Sequence, residues 1–224
     1  MKTRHLIFLT TGLLFLSAAL FSQKSIIFYG GVSKPNLLIV EKNHQNYQEK
    51  TSWRTQFGLQ LLNKIDHKRR SLSLFYLDRK YKASSYSGGI AGGYGNDAYV
   101  RSSHLCVKGK FGKYLDDGNH CYIDFGGYLG IPLYRKIKYS YGGSLSIPGQ
   151  PTTYTGGRTE DASKLINSVE AGLSANFGYE FTLMKRINLF IETVLNLAMH
   201  GQEEINTLLL DQGFVLGVSY PLND

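Results

Sequence analysis

The sequence predicts an all-β fold: an eight-stranded antiparallel transmembrane β-barrel, closed and built as an up-and-down meander. The first observation is that apolar and polar residues alternate with period two, which is typical of strands whose two faces differ. The second is that long and short connections alternate between these segments. The third is the composition, since 25 Gly, 16 Tyr and 12 Phe suit strands better than helices. The alternating segments are residues 25–33, 52–65, 71–82, 98–110, 121–136, 165–181, 187–199 and 205–220.

The N-terminal residues have the pattern of an export signal. Lys2 and Arg4 precede an apolar run over residues 6–21 that ends among small residues. A helix that crosses a bilayer needs about 20 mostly apolar residues, and this run is shorter and interrupted by Thr and Gly. We therefore expect residues 1–22 to be a cleaved signal peptide and residues 23–224 to form one β-barrel domain.

The connections between the predicted strands follow a strict order. Long polar connections at 34–51, 83–97, 137–164 and 200–204 alternate with short ones at 66–70, 116–119 and 182–186. Short periplasmic turns and longer external loops are typical of a transmembrane barrel whose termini both lie in the periplasm. We therefore expect periplasmic termini and mobile external loops, which include the Gly-rich segments 88–95 and 142–157.

The segment at 187–199 indicates which face of the sheet points inward. Leu189, Ile191 and Leu195 lie on one face, and Asn188 and Glu192 lie on the other. In the clearest strands the polar face is small, rich in glycine and carries isolated acids, as expected of a narrow lumen. The apolar faces should then contact lipid. Only the strand at 71–82 leaves the assignment open, because both of its faces are apolar.

Several charged residues are predicted to face the lumen. An eight-stranded barrel is only wide enough for side chains to fill it, and charges removed from water need partners. We therefore expect a paired, hydrogen-bonded plug, with a narrow conducting path as the alternative. The predicted interior polar network consists of Arg54, Asp124, Glu170, Arg186, Glu192 and Asp211.

The net charge of the chain limits the classes of partner. It is +8 for the whole sequence, and removal of Lys2 and Arg4 leaves 23 basic and 17 acidic residues, a net charge of +6. The basic residues lie mostly at strand ends and in loops, so we expect no nucleic-acid binding. This excess suits anionic headgroups of outer-membrane lipid and lipopolysaccharide. Aromatic girdles at the two interfaces would include Tyr76, Tyr81, Tyr99, Tyr134, Tyr179 and Tyr220.

Neither a disulfide nor a metal site is predicted. Cys106 has the inward parity of its strand and Cys121 the outward parity, and a turn near residues 116–119 puts them far out of register. His104, His120 and Cys121 lack the close spacing of structural zinc ligands. The sequence likewise shows no cofactor-binding motif, since no Gly-Lys-Ser/Thr follows the Gly-rich segment at 88–95.

No catalytic residues are predicted. The less favoured enzyme reading is a lipid-modifying hydrolase that would combine His200 and Glu203 or Glu204 with a serine of the facing connection, Ser140, Ser144 or Ser163. Catalysis needs the base within hydrogen-bond reach of the nucleophile, and nothing in the sequence establishes that proximity.

Three stretches carry a family resemblance. Residues 123–130 (Ile-Asp-Phe-Gly-Gly-Tyr-Leu-Gly), residues 169–181 and residues 213–220 are similar to strands of the outer-membrane β-barrel family, often called porin-like, that is common in Bacteroidota. The chain departs from that pattern where residues 221–224 follow the aromatic Tyr220. The resemblance implies an outer-membrane location and an eight-stranded closed sheet, and it implies no shared catalytic residues.

These observations together predict a small integral outer-membrane protein with a structural or interaction role and a lumen filled by polar side chains. The alternatives are a small passive channel, a component of an envelope transport or secretion assembly, and a soluble exported barrel that binds an apolar ligand. Expected partners are outer-membrane lipid, lipopolysaccharide and other envelope proteins.

Overall fold

The computed structural model describes residues 24–39, 48–89, 92–147, 150–161, 169–201 and 206–222. The predicted signal peptide lies outside these residues. The described part of the chain forms ten β-strands: β1 (Lys24–Ile39), β2 (Gln48–Thr51), β3 (Arg54–Ile65), β4 (Lys68–Gly89), β5 (Gly92–Tyr114), β6 (Cys121–Ile147), β7 (Gln150–Asp161), β8 (Glu170–Met184), β9 (Ile187–Gly201) and β10 (Asn206–Pro221).

Eight of these strands close into an antiparallel barrel. Around the barrel the order is β1, β3, β4, β5, β6, β8, β9 and β10, and each strand pairs with the next one. The barrel closes where β1 pairs with β10, for example Tyr29 with Gly217. The predicted closed, eight-stranded, all-β meander is thereby confirmed.

The two remaining strands lengthen the barrel wall on one side. β2 pairs with β4 beyond the end of β3, and β7 pairs with the distal part of β6. β4 and β5 stay paired as far as Gly89 and Gly92, and β6 and β7 as far as Ile147 and Gln150. The prediction of loops over 83–97 and 137–164 is therefore wrong for most of their residues. Both segments are hairpins, because paired strands satisfy their backbone N–H and C=O groups.

The three short connections lie together at the opposite end of the barrel. Asp66 and Asn119 have positive φ angles of 54° and 56°, a conformation that Asp and Asn tolerate better than most residues. In the turn at 115–120 the carboxylate of Asp116 accepts hydrogen bonds from the backbone N–H of Cys121 at 2.6 Å and of His120 at 2.9 Å. The chain reverses between β8 and β9 through Lys185 and Arg186 alone.

The outer face of the barrel is apolar, and we call it the apolar belt. Its side chains alternate along each strand with buried inward-facing residues, so that large apolar groups are exposed in rows around the wall. Members of the belt that are more than half exposed include Phe28, Phe57, Phe111, Phe125, Leu129, Leu133, Leu173, Phe177, Phe214 and Leu216.

The register between β5 and β6 shifts at one point. Ser103 pairs with Tyr134, whereas the next residue, His104, pairs with Pro132. Leu133 is thus the extra residue of a β-bulge, and a proline beside it is tolerated because the ladder is already interrupted there.

This bulge exchanges the faces of β6. Before it the even-numbered Asp124 and Tyr128 point into the barrel, and both are buried. Beyond it the odd-numbered Ile137 is the buried residue, and Lys136 and Lys138 are exposed on the outside. Simple alternation over 121–136 would have placed Lys136 in the lumen.

Candidate functional site in the barrel interior

The structure separates the six residues of the predicted interior network into three groups. Asp124, Glu170, Glu192 and Asp211 are buried inside the barrel, with exposed fractions of 1%, 1%, 4% and 0%. Arg54 is half-buried where β3 begins. Arg186 does not face the lumen, because it lies in the exposed turn between β8 and β9 rather than within a strand.

Arg79 is the largest fully buried side chain of the described residues, and its strand was the one whose faces the sequence left open. On β4 the inward face carries Phe75, Leu77 and Arg79, and the outward face carries Leu74 and Tyr76. Both faces are apolar over most of this strand, so periodicity alone could not place the arginine. The sequence signal that places Arg79 inside is its spacing from Phe75: the two lie four residues apart and therefore on the same face of the strand.

The guanidinium of Arg79 binds two carboxylates from the far side of the barrel. Its Nε lies 3.1 and 3.0 Å from the two carboxylate oxygens of Asp211, and its Nη2 lies 2.5 Å from Oδ2. Its Nη1 donates to Glu170, which also accepts a 2.9 Å hydrogen bond from the hydroxyl of Tyr128. His104 Nε2 lies 3.7 Å from the same carboxylate. These residues form the Arg79 cluster.

A second cluster surrounds Arg69, nearer the short turns. Its guanidinium donates to Asp124 at 3.2 Å, to the Tyr114 hydroxyl at 2.7 Å and to Glu180 at 3.3 Å. The guanidinium carbon lies 3.4 Å from the ring centroid of Tyr122, a cation–π contact. We call these residues the Arg69 cluster. At its edge Lys64 Nζ lies 2.6 Å from Glu180, so the ion-pair network reaches the mouth of the barrel.

Lysine and amide side chains lie between the two clusters. Lys110 Nζ lies 3.2 Å from Glu192 and 3.6 Å from Asp124. Glu192 also accepts hydrogen bonds from Asn176 and, at 3.1 Å, from the hydroxyl of Tyr122. Lys108 lies two residues from Lys110 on the same face of β5, and its Nζ donates a hydrogen bond to Asn196 at 3.0 Å. Polar side chains therefore occupy the lumen from its mouth to the Arg79 cluster.

The acidic and basic residues of this network are equal in number. Five carboxylates face four buried cations and the half-buried Lys64, and each is within ion-pair or hydrogen-bond reach of a partner. A buried ion pair costs several kcal/mol per ion to desolvate, and only close partners compensate for that cost. The arrangement therefore holds opposite walls of the barrel together and fills its cross-section. Its members are Asp124, Glu170, Glu180, Glu192 and Asp211 with Arg69, Arg79, Lys108, Lys110 and Lys64.

Apolar side chains complete the filling. Phe75, Leu77 and Leu209 pack with Cys106 around the Arg79 cluster, and Phe190 belongs to a second apolar group closer to the short turns. The inner face is thus mixed rather than purely polar. Glycines on this face make room for large rings, since a Cβ at Gly172 would overlap the ring of Tyr128.

The two cysteines are far apart and free. Cys106 is buried on the inner face of β5 and pairs in register with Gly130, which lies nine residues along β6 from Cys121. Nine residues of strand correspond to about 30 Å, well beyond the reach of a disulfide.

The described residues contain no group of three or more His, Cys, Asp or Glu side chains arranged to hold a metal ion. No helix in the same part of the chain is long and apolar enough to cross a membrane. The residues of the lipid-hydrolase hypothesis lie largely outside the described part of the chain, which does not include Ser163, Glu203 or Glu204.

Comparisons with known proteins give structural likenesses only. No family model matches the chain, and no curated protein matches it by sequence. Among solved structures, the attachment invasion locus protein Ail of Yersinia pestis is 10% identical with a TM-score of 0.30, over 88% of this chain and 99% of Ail. The outer membrane protein OprG from Pseudomonas aeruginosa is 13% identical with a TM-score of 0.37, over 91% and 98% of the two chains. The outer membrane protease OmpT from Escherichia coli is 8% identical with a TM-score of 0.31, over 89% and 96%.

These likenesses assign no role to the chain, because the identities and the TM-scores are low. They also give no support to the Bacteroidota porin-like family that the sequence resembles. The architecture rests on the strand pairing of the chain itself, and that pairing defines a closed, eight-stranded, antiparallel β-barrel with a charged interior and an apolar exterior.

Proposed function

We propose that the protein is an integral outer-membrane β-barrel with a sealed lumen, and that its role is structural or interactive rather than conductive. One observation carries this proposal: charged groups lie inside the barrel, and large apolar side chains cover the outside. A barrel dissolved in water would have the reverse arrangement. Because a closed barrel leaves no unpaired strand edge, it is one of the two structures that can cross a hydrocarbon layer.

The height of the apolar belt fits a membrane. On β5 the outward-facing charged residues that bound the belt are Lys113 at the end with the short turns and Arg101 at the other end. The outward positions between them carry Phe111, Gly109, Val107, Leu105 and Ser103. Twelve residues of strand extend about 40 Å, which a tilt of 35–45° reduces to about 30 Å, close to the thickness of a bilayer core.

The filled interior supports a role other than conduction. Arg79 reaches across from β4 to Asp211 on β10, two strands that are not neighbours in the wall. The Arg69 cluster and the Lys110–Glu192 pair occupy the lumen below it. A solute would have to break several buried ion pairs to pass, and each break would leave an uncompensated charge.

The paired hairpins beyond the belt supply a surface for partners. The β4–β5 and β6–β7 hairpins continue past Arg101 and Lys136 as one sheet, because β5 and β6 stay paired there, and Tyr99 and Tyr141 are exposed on it. We place them outside the cell and the short turns and both termini in the periplasm, because that is the usual polarity of such barrels. Export by a cleaved signal at residues 1–22 belongs to the same proposal.

Heat modifiability tests the location and the closed barrel together. The detergent-extracted envelope fraction is run on a gel with and without boiling. We expect the protein in the outer-membrane fraction and a shift in apparent size, because a closed barrel resists detergent until it is heated. Recovery in the soluble periplasmic fraction without a shift would contradict the proposal and favour a soluble barrel that binds an apolar ligand.

Planar bilayers test the sealed lumen. We expect the purified wild-type barrel to show no steady conductance at any applied voltage, with an open porin in the same bilayers as the positive control. Reproducible unitary currents from the wild-type protein would replace the structural role with the passive-channel alternative. Co-purification of a stoichiometric envelope protein would instead identify the barrel as an assembly component.

A further inference from the structure

We propose that the outer wall of the barrel carries a binding site for a lipid with a phosphorylated headgroup, formed by a row of cations on β4, β5 and β6 and by an apolar groove below it. The proposed source is the lipopolysaccharide of the outer leaflet. This inference rests on the proposed membrane location and adds a specific ligand site to it.

The first observation is a row of three cations in register. Lys80 on β4 stands opposite Arg101 on β5, and Arg101 stands opposite Lys136 on β6. All three side chains are exposed on the outer face. Like charges directly opposite one another on neighbouring strands are destabilising unless an anion lies between them. We call these three residues the basic row.

The bulge at Leu133 is what completes the basic row. It exchanges the faces of β6, so that Lys136 and the following Lys138 project outward beside Arg101 and Tyr99. Without the extra residue the same lysines would point into the lumen. The bulge therefore adds two cations to the outer surface at this one level of the wall.

Acidic residues lie close to the basic row but do not neutralise it. Asp78 Oδ2 is 3.6 Å from Arg101 Nη2, and Asp97 is 2.8 Å from Lys82 Nζ on the next step outward. Asp161 on β7 stands opposite Lys136 in register. The cations Lys80, Lys82, Arg101, Lys136 and Lys138 outnumber these three acids by two, which leaves a positive surface for an anion.

Tyrosines place the basic row at the level of lipid headgroups. The Arg101 guanidinium carbon lies 5.9 Å and the Lys136 Nζ 5.7 Å from the ring centroid of Tyr134, which is exposed on the outer face. Aromatic rings of this kind gather where the bilayer core meets the headgroups. The apolar belt begins directly below, so the cations face headgroups rather than acyl chains or bulk water.

The second observation is a groove in the belt below the basic row. It has a volume of about 800 Å³, within the range of sites that hold small molecules. Phe57, Tyr76 and Leu105 are among its lining residues, and Gly30 forms part of its floor. The groove exists because Gly30 faces outward without a side chain between its register partners Phe57 and Leu216.

One end of the groove lies on two strands of the basic row, β4 and β5, where Tyr76 and Leu105 line it; most of its other lining residues lie on β1, β3, β9 and β10. Lys80 follows Tyr76 by four residues on β4, and Arg101 precedes Leu105 by four residues on β5, which is about 13 Å of strand in each case. A lipid whose headgroup phosphate lies on the basic row would have an acyl chain at this end of the groove, from which the groove continues across β3 and β1. A free polyanion would contact only the cations, and a neutral lipid would contact only the groove. A phosphorylated lipid contacts both.

The test compares two triple variants of the full barrel in detergent micelles. One replaces the basic row (Lys80→Gln, Arg101→Gln and Lys136→Gln). The matched control replaces three exposed outward cations at the opposite edge of the belt, on β4 and β5, away from the groove lining (Lys68→Gln, Arg70→Gln and Lys113→Gln). Native mass spectrometry follows the binding of diphosphoryl lipid A and of the same lipid with its phosphates removed.

We expect the basic-row variant to bind diphosphoryl lipid A at least about tenfold more weakly than wild type, since each cation near an anionic surface adds to the affinity. The control variant should stay within about twofold of wild type, and removal of the lipid phosphates should weaken binding to wild type. Equal losses in the two triple variants, or equal binding of the dephosphorylated lipid, would overturn the proposal.

A further variant and a competitor separate lipid from free phosphate. Gly30→Leu should fill the groove without a clash, because a Cβ there meets nothing closer than a backbone oxygen at 4.0 Å. We expect this variant to bind the lipid several-fold more weakly, and millimolar inorganic phosphate not to displace the lipid. Displacement by inorganic phosphate, or unchanged binding in Gly30→Leu, would reduce the site to an ion site and contradict a lipid ligand.

Heat modifiability is measured on every variant to confirm that the barrel is closed. If the wild-type protein shows no shift, the proposed membrane barrel itself fails. If it shifts and does not bind the phosphorylated lipid, only the lipid site fails.

Discussion

Arg79 and Asp211 face each other across the lumen, from strands that do not touch in the wall. The three contacts between guanidinium and carboxylate are 3.1, 3.0 and 2.5 Å, and both side chains are fully buried. Between β4 and β10 the barrel wall passes through β3 and β1. This pair therefore acts as a cross-brace that fixes the barrel cross-section in addition to the strand ladders.

Breaking the cross-brace should destabilise the barrel strongly. We expect Asp211→Asn to lower the free energy of unfolding by about 3–5 kcal/mol, because the Arg79 charge stays buried with one carboxylate fewer. The measurement is the urea dependence of refolding into lipid vesicles, with Asp117→Asn in the exposed turn as the matched control. A loss of less than about 1 kcal/mol would show that water or neighbouring groups compensate.

Replacing both partners tests whether the pair stabilises or specifies the fold. The double variant Arg79→Met/Asp211→Leu should lose less stability than the sum of the two single losses, because it leaves neither charge of the pair alone, although Glu170 loses its arginine whenever Arg79 is replaced. The double-mutant cycle measures this coupling directly. Additive losses would mean that Arg79 and Asp211 act independently, with Glu170 as the main partner of the arginine.

Inward-facing glycines should be intolerant of a methyl group, and outward-facing ones should accept it. A Cβ at Gly178 would overlap the ring of Tyr122, whereas a Cβ at Gly109 would meet nothing within 4 Å. We expect Gly178→Ala to destabilise the barrel by about 1–3 kcal/mol, the usual cost of overpacking, and Gly109→Ala to change stability little. The same unfolding measurement compares them, and equal effects would contradict the packed interior.

Asp116 should titrate below the usual range of an aspartate. Burial opposes its ionisation, but hydrogen bonds from the backbone N–H of Cys121 and from His120 outweigh that effect and lower its pKa. A carboxyl whose folded-state pKa lies below its unfolded value stabilises the fold above the unfolded pKa, and this contribution is lost as the pH falls through the folded pKa. The ordered turn should therefore loosen only in acid.

Carboxyl-selective NMR of the barrel in micelles checks this prediction. The resonance of Asp116 is assigned from its disappearance in Asp116→Asn, and its midpoint is measured by pH titration. A midpoint of Asp116 equal to or above that of an unperturbed aspartate, about 3.9, would contradict the hydrogen-bonded turn.

The two cysteines should differ in reactivity. Cys106 is fully buried in the lumen beside Phe75, and Cys121 is half-buried at the edge of the short turn at 115–120. We expect a maleimide to label the folded wild-type barrel and the Cys106→Ser variant equally, and to leave Cys121→Ser unlabelled until it is denatured. Labelling of Cys106 in the folded barrel would reveal a water path through the lumen and support the channel alternative.

The strand count and the facing of the last three strands could be predicted from sequence because their alternation is regular. Along β8, β9 and β10, glycines and isolated acids occupy one face, and only a narrow lumen requires that combination. Glu170, Glu192 and Asp211 follow directly from it. Arg79 could not be found in this way, because both faces of β4 are apolar, and the partner that stabilises it is 132 residues away.

The remaining differences have local physical causes. The bulge at Leu133 depends on the register between two strands, which no single strand encodes, and it moves Lys136 from the inner to the outer face. The prediction that Arg186 faces the lumen extends the alternation of β9 into the preceding turn, where side chains no longer alternate between the two faces of a sheet. The hairpins over 83–97 and 137–161 contain Gly, Ser and Thr that usually indicate loops, yet each strand there has a long partner to pair with.

The contact of β1 with β10 has a consequence for biogenesis. Fifteen residue pairs join the first and last strands of the barrel, so the longest-range strand pairs of the described residues are also the ones that close it. Contacts of such sequence separation form slowly, and until they form two strand edges stay open to other chains. We therefore expect the nascent chain to need chaperoning until its final strand has been made. A chain truncated anywhere before β10 should form an open, aggregation-prone sheet rather than a smaller closed barrel.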